Sequence, residues 1–105
     1  MNALKDIQHF YFIGIGGIGM SALAFYFHKS GKHVSGYDKT PSDVTRSLEK
    51  AGIAVHFEDL GDRVDANFKP ADTLVVYTPA VTKDFGELVR FRESGYTIKK
   101  RAEVL

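Results

Sequence analysis

Apolar residues fall in two rhythms along this chain. Short apolar runs alternate with stretches in which apolar residues recur every three or four positions. The first run, residues 10–15, is aromatic-rich and closes on glycine, which predicts a strand buried on both faces. From 18 to 30 the period changes. Met20, Leu23, Ala24 and Phe27 share one helical face, with Lys29 in the last turn and Gly31 just beyond it. Phe25 and Tyr26 lie off that face, and a second helix is expected to cover them. Residues 33–38 read as a strand ending on an acid. Thr40-Pro41-Ser42-Asp43 opens the next helix, with Thr40 as N-cap, Pro41 in the first turn and Asp43 in the capping-box position. Val44, Leu48 and Ala51 form its stripe and Gly52 stops it.

The second half repeats the alternation. Residues 53–57 predict a short strand. Residues 58–69 are polar around Val64 and Phe68 and predict a loop with one helical turn. Residues 73–78 form the cleanest strand pattern, closed by Pro79, which cannot donate to a ladder. Thr82 or Asp84 is placed to cap a third helix carrying Leu88, Val89 and Phe91, which stops at Ser94-Gly95. Residues 96–99 predict a fifth strand, and 101–105 the first turn of another helix. Helix-length crossovers between strands force parallel pairing. The expected fold is therefore α/β, a Rossmann-like doubly wound parallel five-stranded sheet with helices on both faces. At 105 residues it is one domain, and a pattern that breaks off in a helical turn suggests the first part of a longer protein.

The junction between first strand and first helix is the candidate site. Gly14, Gly16 and Gly19 have the spacing of a strand–turn–helix that cradles a diphosphate, with Gly17 between them. The first glycine serves the sharp turn, the second a close backbone approach to ligand, the third close packing of helix on strand. Helix N–H groups from Ile18, Gly19, Met20 and Ser21 then face the anion, and the Ser21 hydroxyl can add to them. Asp38 follows Gly16 by 22 residues, in the range for a carboxylate that meets a nucleotide's ribose or base. Thr78, Pro79 and Ala80 end the fourth strand across the point where strand order reverses. These residues alone describe a nucleotide-diphosphate module. NAD, in a regulatory or dehydrogenase domain, is the standing alternative.

Composition removes other classes. Basic and acidic residues number 14 and 13, so no surplus points to nucleic acid. There is no cysteine, which fits a reducing cytoplasm. Residues 1–6 include an acid and lack a cleavage-site pattern, so no signal peptide is expected. Residues 10–27 carry no charge, yet four glycines make them a poor membrane-spanning helix. The four histidines lack metal-ligand spacing, and neither a Ser-His-Asp arrangement nor a Walker A sequence is present, so no catalytic or metal-binding residue is expected.

The stretch Phe12-Ile13-Gly14-Ile15-Gly16-Gly17-Ile18-Gly19-Met20-Ser21-Ala22-Leu23-Ala24 closely resembles the opening of the Mur ligases. The likeness continues through Gly36-Tyr37-Asp38, Leu48-Glu49-Lys50-Ala51-Gly52-Ile53, Thr78-Pro79-Ala80-Val81 and Arg101-Ala102-Glu103-Val104-Leu105. It is greatest for the branch that adds L-alanine to UDP-N-acetylmuramate in peptidoglycan, the cell-wall polymer. The resemblance implies a three-domain cytoplasmic ligase of which this chain is the first, UDP-binding domain. ATP and Mg2+ would serve the parent enzyme from the second domain, and the amino acid would bind the third. The chain alone would need no cofactor and would show no turnover. The glycine turn would hold the diphosphate and Asp38 the uracil or its ribose. The chain departs from the family pattern at four places: Tyr11 for a common histidine, Thr78-Pro79 for a serine pair, Glu58-Asp59 for Gly-His, and Asp84-Phe85-Gly86-Glu87 without an Asn-Pro.

Overall fold

The computed structural model describes residues 4–104. Residues 1–3 and Leu105, which belong to the expected N-terminal stretch and final turn, lie outside the described residues. Five strands, β1 (His9–Ile13), β2 (His33–Tyr37), β3 (Ala54–His56), β4 (Thr73–Tyr77) and β5 (Thr97–Lys100), form one parallel sheet in the order β3-β2-β1-β4-β5. Helices α1 (Ile18–Lys29), α2 (Asp43–Lys50) and α3 (Gly86–Glu93) make crossovers, joined by short 3-10 turns at Leu4–Asp6, Gly61–Arg63, Pro70–Asp72 and Arg101–Glu103.

Alternation along β1 divides the core. Phe10 and Phe12 face one side with Leu74 and Val76, packed against Met20, Ala24 and Phe27 of α1 and Leu48 of α2. Phe10 stacks on Phe27 with ring centroids 3.8 Å apart. Tyr11 and Ile13 face the other side with Val75, against Leu88 and Phe91 of α3 and Val64 from the 57–72 connection. Each face of the sheet therefore has its own apolar layer, as a doubly wound sheet requires. Gly36 makes the first of these layers possible. A methyl group there would collide with the Phe12 carbonyl oxygen and stand 2.9 Å from Ile15 Cδ1.

Three sequence expectations need correction. Helix α2 starts later than predicted. Ser42, not Thr40, is its N-cap, and Thr45 completes the capping box: Ser42 Oγ accepts from Thr45 N at 3.2 Å and Thr45 Oγ1 from Ser42 N at 2.8 Å. A hydroxyl at the third position did what an acid was expected to do, and Thr45 rather than Ala51 is buried. Neither Thr82 nor Asp84 caps α3. Its N-cap is Phe85, and its first N–H groups are satisfied from a distant segment, as described below. Among the described residues no helix covers Phe25 and Tyr26, which remain exposed.

His9 opens β1 with its ring edge on Phe68, 4.2 Å away, and Nε2 at 2.9 Å from Ser35 Oγ. Burial and the neighbouring His33 push its pKa down to about 4, against a smaller opposing pull from Asp72. Between that value and the ordinary 6.5, the unfolded chain holds a proton the folded chain lacks. Stability should therefore be full above pH 6.5 and fall as pH drops to 4. Because the ring is partly exposed, the loss should be about 1–2 kcal/mol. Urea denaturation at pH 7 and pH 4.5 should show the wild type losing more than His9→Gln; equal losses would clear His9.

Candidate functional site at the carboxyl edge of the sheet

The strand register assembles the site. Ile13 pairs with Tyr37 on one side and Tyr77 on the other, and Tyr77 pairs with Lys100. The next residue of each strand, Gly14, Asp38, Thr78 and Arg101, therefore leaves the sheet at the same level. Strand order reverses between β1 and β4, so this row borders the crevice where an open parallel sheet takes its ligands.

The glycine turn is held from below. Gly14 has φ +93, which a side chain rarely adopts, and a methyl there would also stand 3.3 Å from Thr78 Oγ1. Its N–H and that of Ile15 both donate to the Tyr37 carbonyl, at 2.8 and 2.9 Å. Gly16 N donates to Asp38 Oδ2 at 2.7 Å, and Gly17 N to the Gly14 carbonyl at 3.2 Å. The turn's own donors are thus consumed in shaping it. Those left over belong to the first turn of α1: the N–H groups of Ile18, Gly19 and Met20 have no acceptor among the described residues. Gly17, the N-cap, offers no side chain, and the first turn contains no acid. Three open donors at the positive end of a helix are an anion-binding arrangement.

Asp38 is placed beside this cradle, half-buried. Oδ2 accepts from Gly16 N and Oδ1 from Thr40 N at 3.1 Å. It ties the glycine turn to the loop that leads into α2. Each carboxylate oxygen has a second lone pair, so nucleotide contact remains open to it. Gly16 is bare for the same reason: a methyl would stand 2.6 Å from Asp38 Oδ2.

The other sequence candidates divide. Thr78 stands against Gly14, and its hydroxyl has no hydrogen-bond partner among the described residues. Ala80 borders a hollow of about 320 Å³ with Tyr37, Lys39, Val81, Thr82 and Phe85. Pro79 borders a wider groove with Lys83, Arg92 and Lys100. Ile18 stands 90% exposed on the cradle's rim. The Met20 side chain turns into the core, so only its backbone faces the cradle. Ser21 is buried and donates to the Ile18 carbonyl at 3.1 Å, within its own helix.

Sequence reasoning passed over two features. The space a side chain would take at the third glycine is filled by Arg101. A methyl at Gly19 would stand 2.7 Å from Cδ and 2.9 Å from Nε of Arg101. The second is a buried polar cluster on the α3 face. Glu87 is fully buried; its Oε1 accepts from the Tyr11 hydroxyl at 2.6 Å, and its Oε2 from Leu60 N at 3.0 Å and from His56 Nε2 at 2.7 Å. Burial and the adjacent carboxylate raise the Tyr11 pKa, so the hydroxyl stays a donor. Asp59 caps α3 across the chain, taking Gly86 N at 2.8 Å and Glu87 N at 3.0 Å. A cap 27 residues away leaves no local signature, whereas an acid in a helix's first turn beneath aromatic strand residues was visible.

Known proteins resemble this chain. A family profile described as "Mur ligase family, catalytic domain" matches residues 9–105. The chain belongs to the Mur ligase family. Among relatives of this Mur ligase chain, UDP-N-acetylmuramate--L-alanine ligase of Porphyromonas gingivalis is 58% identical over 100 residues, covering 94% of this chain and 22% of that protein. The enzyme of the same name from Flavobacterium psychrophilum is 57% identical over 102 residues, covering 97% and 23%. Among solved structures, UDP-N-acetylmuramate-alanine ligase MurC from Thermotoga maritima superposes with a TM-score of 0.78 at 36% identity, over 90% of this chain and 21% of that one. The Mur ligase chain thus spans about a fifth of the length of the relatives it matches. These likenesses favour the ligase reading over an NAD-binding module.

Proposed function

We propose that this chain binds the UDP end of UDP-N-acetylmuramate, as the first domain of an ATP-dependent ligase that joins L-alanine to that substrate in peptidoglycan synthesis. The observation that carries the reading is the set of three open N–H groups on α1, flanked by Asp38 and Thr78, in a chain so similar to L-alanine ligases. In this reading the diphosphate lies on the N–H groups of Ile18, Gly19 and Met20. Asp38 accepts a hydrogen bond from uracil N3–H or a ribose hydroxyl, and Thr78 donates from the β4 side. Ile18 shields the bound phosphates from water. This chain's part in the reaction is to hold one end of the substrate so that the distant carboxylate is presented in a fixed place.

ATP and Mg2+ would be held by parts of the ligase outside this chain, where they would supply the phosphoryl group that activates the carboxylate. The parent enzyme would work in the cytoplasm, where UDP-sugars and ATP are both available. No described helix is long and apolar enough to cross a membrane. The test is titration calorimetry of the chain with UDP-N-acetylmuramate and with NAD. Saturable heat with the first and none with the second is expected. Binding of NAD with no response to the UDP-sugar would overturn the proposal.

A further inference from the structure

We infer that Arg101 is a phosphate-binding residue, a cationic arm that closes on the diphosphate from the β5 side of the cradle. This rests on the UDP reading above and adds a residue to it. Lys100 ends β5 in register with Tyr77 of β4, so Arg101 leaves the sheet in the row that contains Gly14, Asp38 and Thr78. From there its side chain reaches back across β4 to lie on Gly19. Cδ, Nε and Cζ would stand 2.7, 2.9 and 3.3 Å from a methyl at that position. The guanidinium therefore rests against the first turn of α1, beside the open N–H groups.

That position is electrostatically unfavourable in the empty protein. A helix N-terminus carries partial positive charge and favours anions. Here it has no acid in its first turn and an arginine laid upon it. No described acid pairs with either group. Among the described residues the guanidinium makes no hydrogen bond or ion pair, and the nearby Glu103 is used on Lys100 N at 2.8 Å. Arg101 is exposed, so burial of its stem does not explain the contact either. A diphosphate placed between helix end and guanidinium turns two mutually repelling groups into two attractive ones. It would also use the fork of donors that makes arginine suited to phosphate oxygens. Gly19 then has a function distinct from helix–strand packing: its missing side chain is the space through which the arm lies.

The test compares wild type, Arg101→Gln and Arg101→Lys by titration with UDP and with uridine, read from amide chemical shifts. Arg101→Gln should weaken UDP about tenfold and leave uridine unchanged, with Arg101→Lys between the two. The slope of log affinity for UDP against log salt should also flatten in Arg101→Gln. Because Arg101 is exposed, thermal melts of both variants should match the wild type. UDP affinity unchanged in Arg101→Gln, or UDP and uridine weakened alike, would overturn the assignment. Wild type that binds uridine but discriminates no phosphate would overturn it too. Wild type that binds neither would instead sink the UDP reading on which it stands.

Discussion

Glu87→Ala should destabilise the chain by about 3–5 kcal/mol. The carboxylate is fully buried and serves three donors at once: the Tyr11 hydroxyl, His56 Nε2 and Leu60 N. Removing it takes the acceptor from Leu60 N and leaves the Tyr11 hydroxyl and His56 Nε2 only each other, 3.0 Å apart, beside an apolar layer built from Ile13, Val75, Leu88 and Phe91. An unpaired buried donor costs about 1–3 kcal/mol, and the vacated volume adds to that. Glu87→Gln keeps the volume and one acceptor, and the Tyr11 hydroxyl can turn to accept from the amide. Its loss should be nearer 1–2 kcal/mol. Urea denaturation followed by circular dichroism measures both. An alanine variant within about 1 kcal/mol of wild type would show that the cluster is held by packing rather than by its hydrogen bonds.

The same cluster gives physical content to the places where the chain departs from the family pattern. Tyr11, Asp59 and the Gly86-Glu87 pair are far apart in sequence and together in space. Tyr11 bonds Glu87, and Asp59 bonds the backbone of both Gly86 and Glu87. The Asp59 carboxylate also crowds position 86, where a methyl would lie 2.6 Å from its Oδ2. Three departures that looked independent therefore form one interlocking corner between β1, the loop after β3 and the start of α3. Asp59 of that loop is thus employed in holding α3.

Legibility in the sequence followed the range of the interactions. Strand and helix order were readable because hydrophobic period is local, and the sheet's parallel winding followed from crossover length. Convergence of Gly14, Asp38 and Thr78 was readable because each ends a strand at a recognisable residue, and the register does place them side by side. The start of α2 was misplaced by two residues because Thr40, Ser42 and Thr45 are all cap-competent and only the fold chooses between them. The cap of α3 and the reach of Arg101 onto Gly19 were not readable at all. Both depend on segments that meet only once the sheet has formed. The last predicted strand also closed one residue early, which concealed that Arg101 stands in the same row as the other site residues.

Gly16 and Asp38 should behave as a single unit toward the ligand. Gly16→Ala puts a methyl 2.6 Å from Asp38 Oδ2 and 3.1 Å from Thr45 Cγ2. Thr45 is buried and fixed by its own capping box, so the carboxylate is the group that yields. It then gives up Gly16 N and the position from which it would meet the nucleoside. Since Asp38 is half-buried at the edge of the fold, stability should fall by only about 1 kcal/mol. UDP affinity should fall by about 2 kcal/mol, roughly thirtyfold, and Asp38→Ala should cost about the same. The decisive measurement is the double variant. With the carboxylate gone, only the 3.1 Å contact with Thr45 Cγ2 still crowds the methyl, so Gly16→Ala in the Asp38→Ala background should lose little more: about 2 kcal/mol in total, against about 4 if the two sites acted separately. Calorimetric titration of the four proteins with UDP separates these cases. Additive losses would mean that Gly16 is bare for direct approach of the phosphates, and that Asp38 binds the nucleotide without shaping the turn.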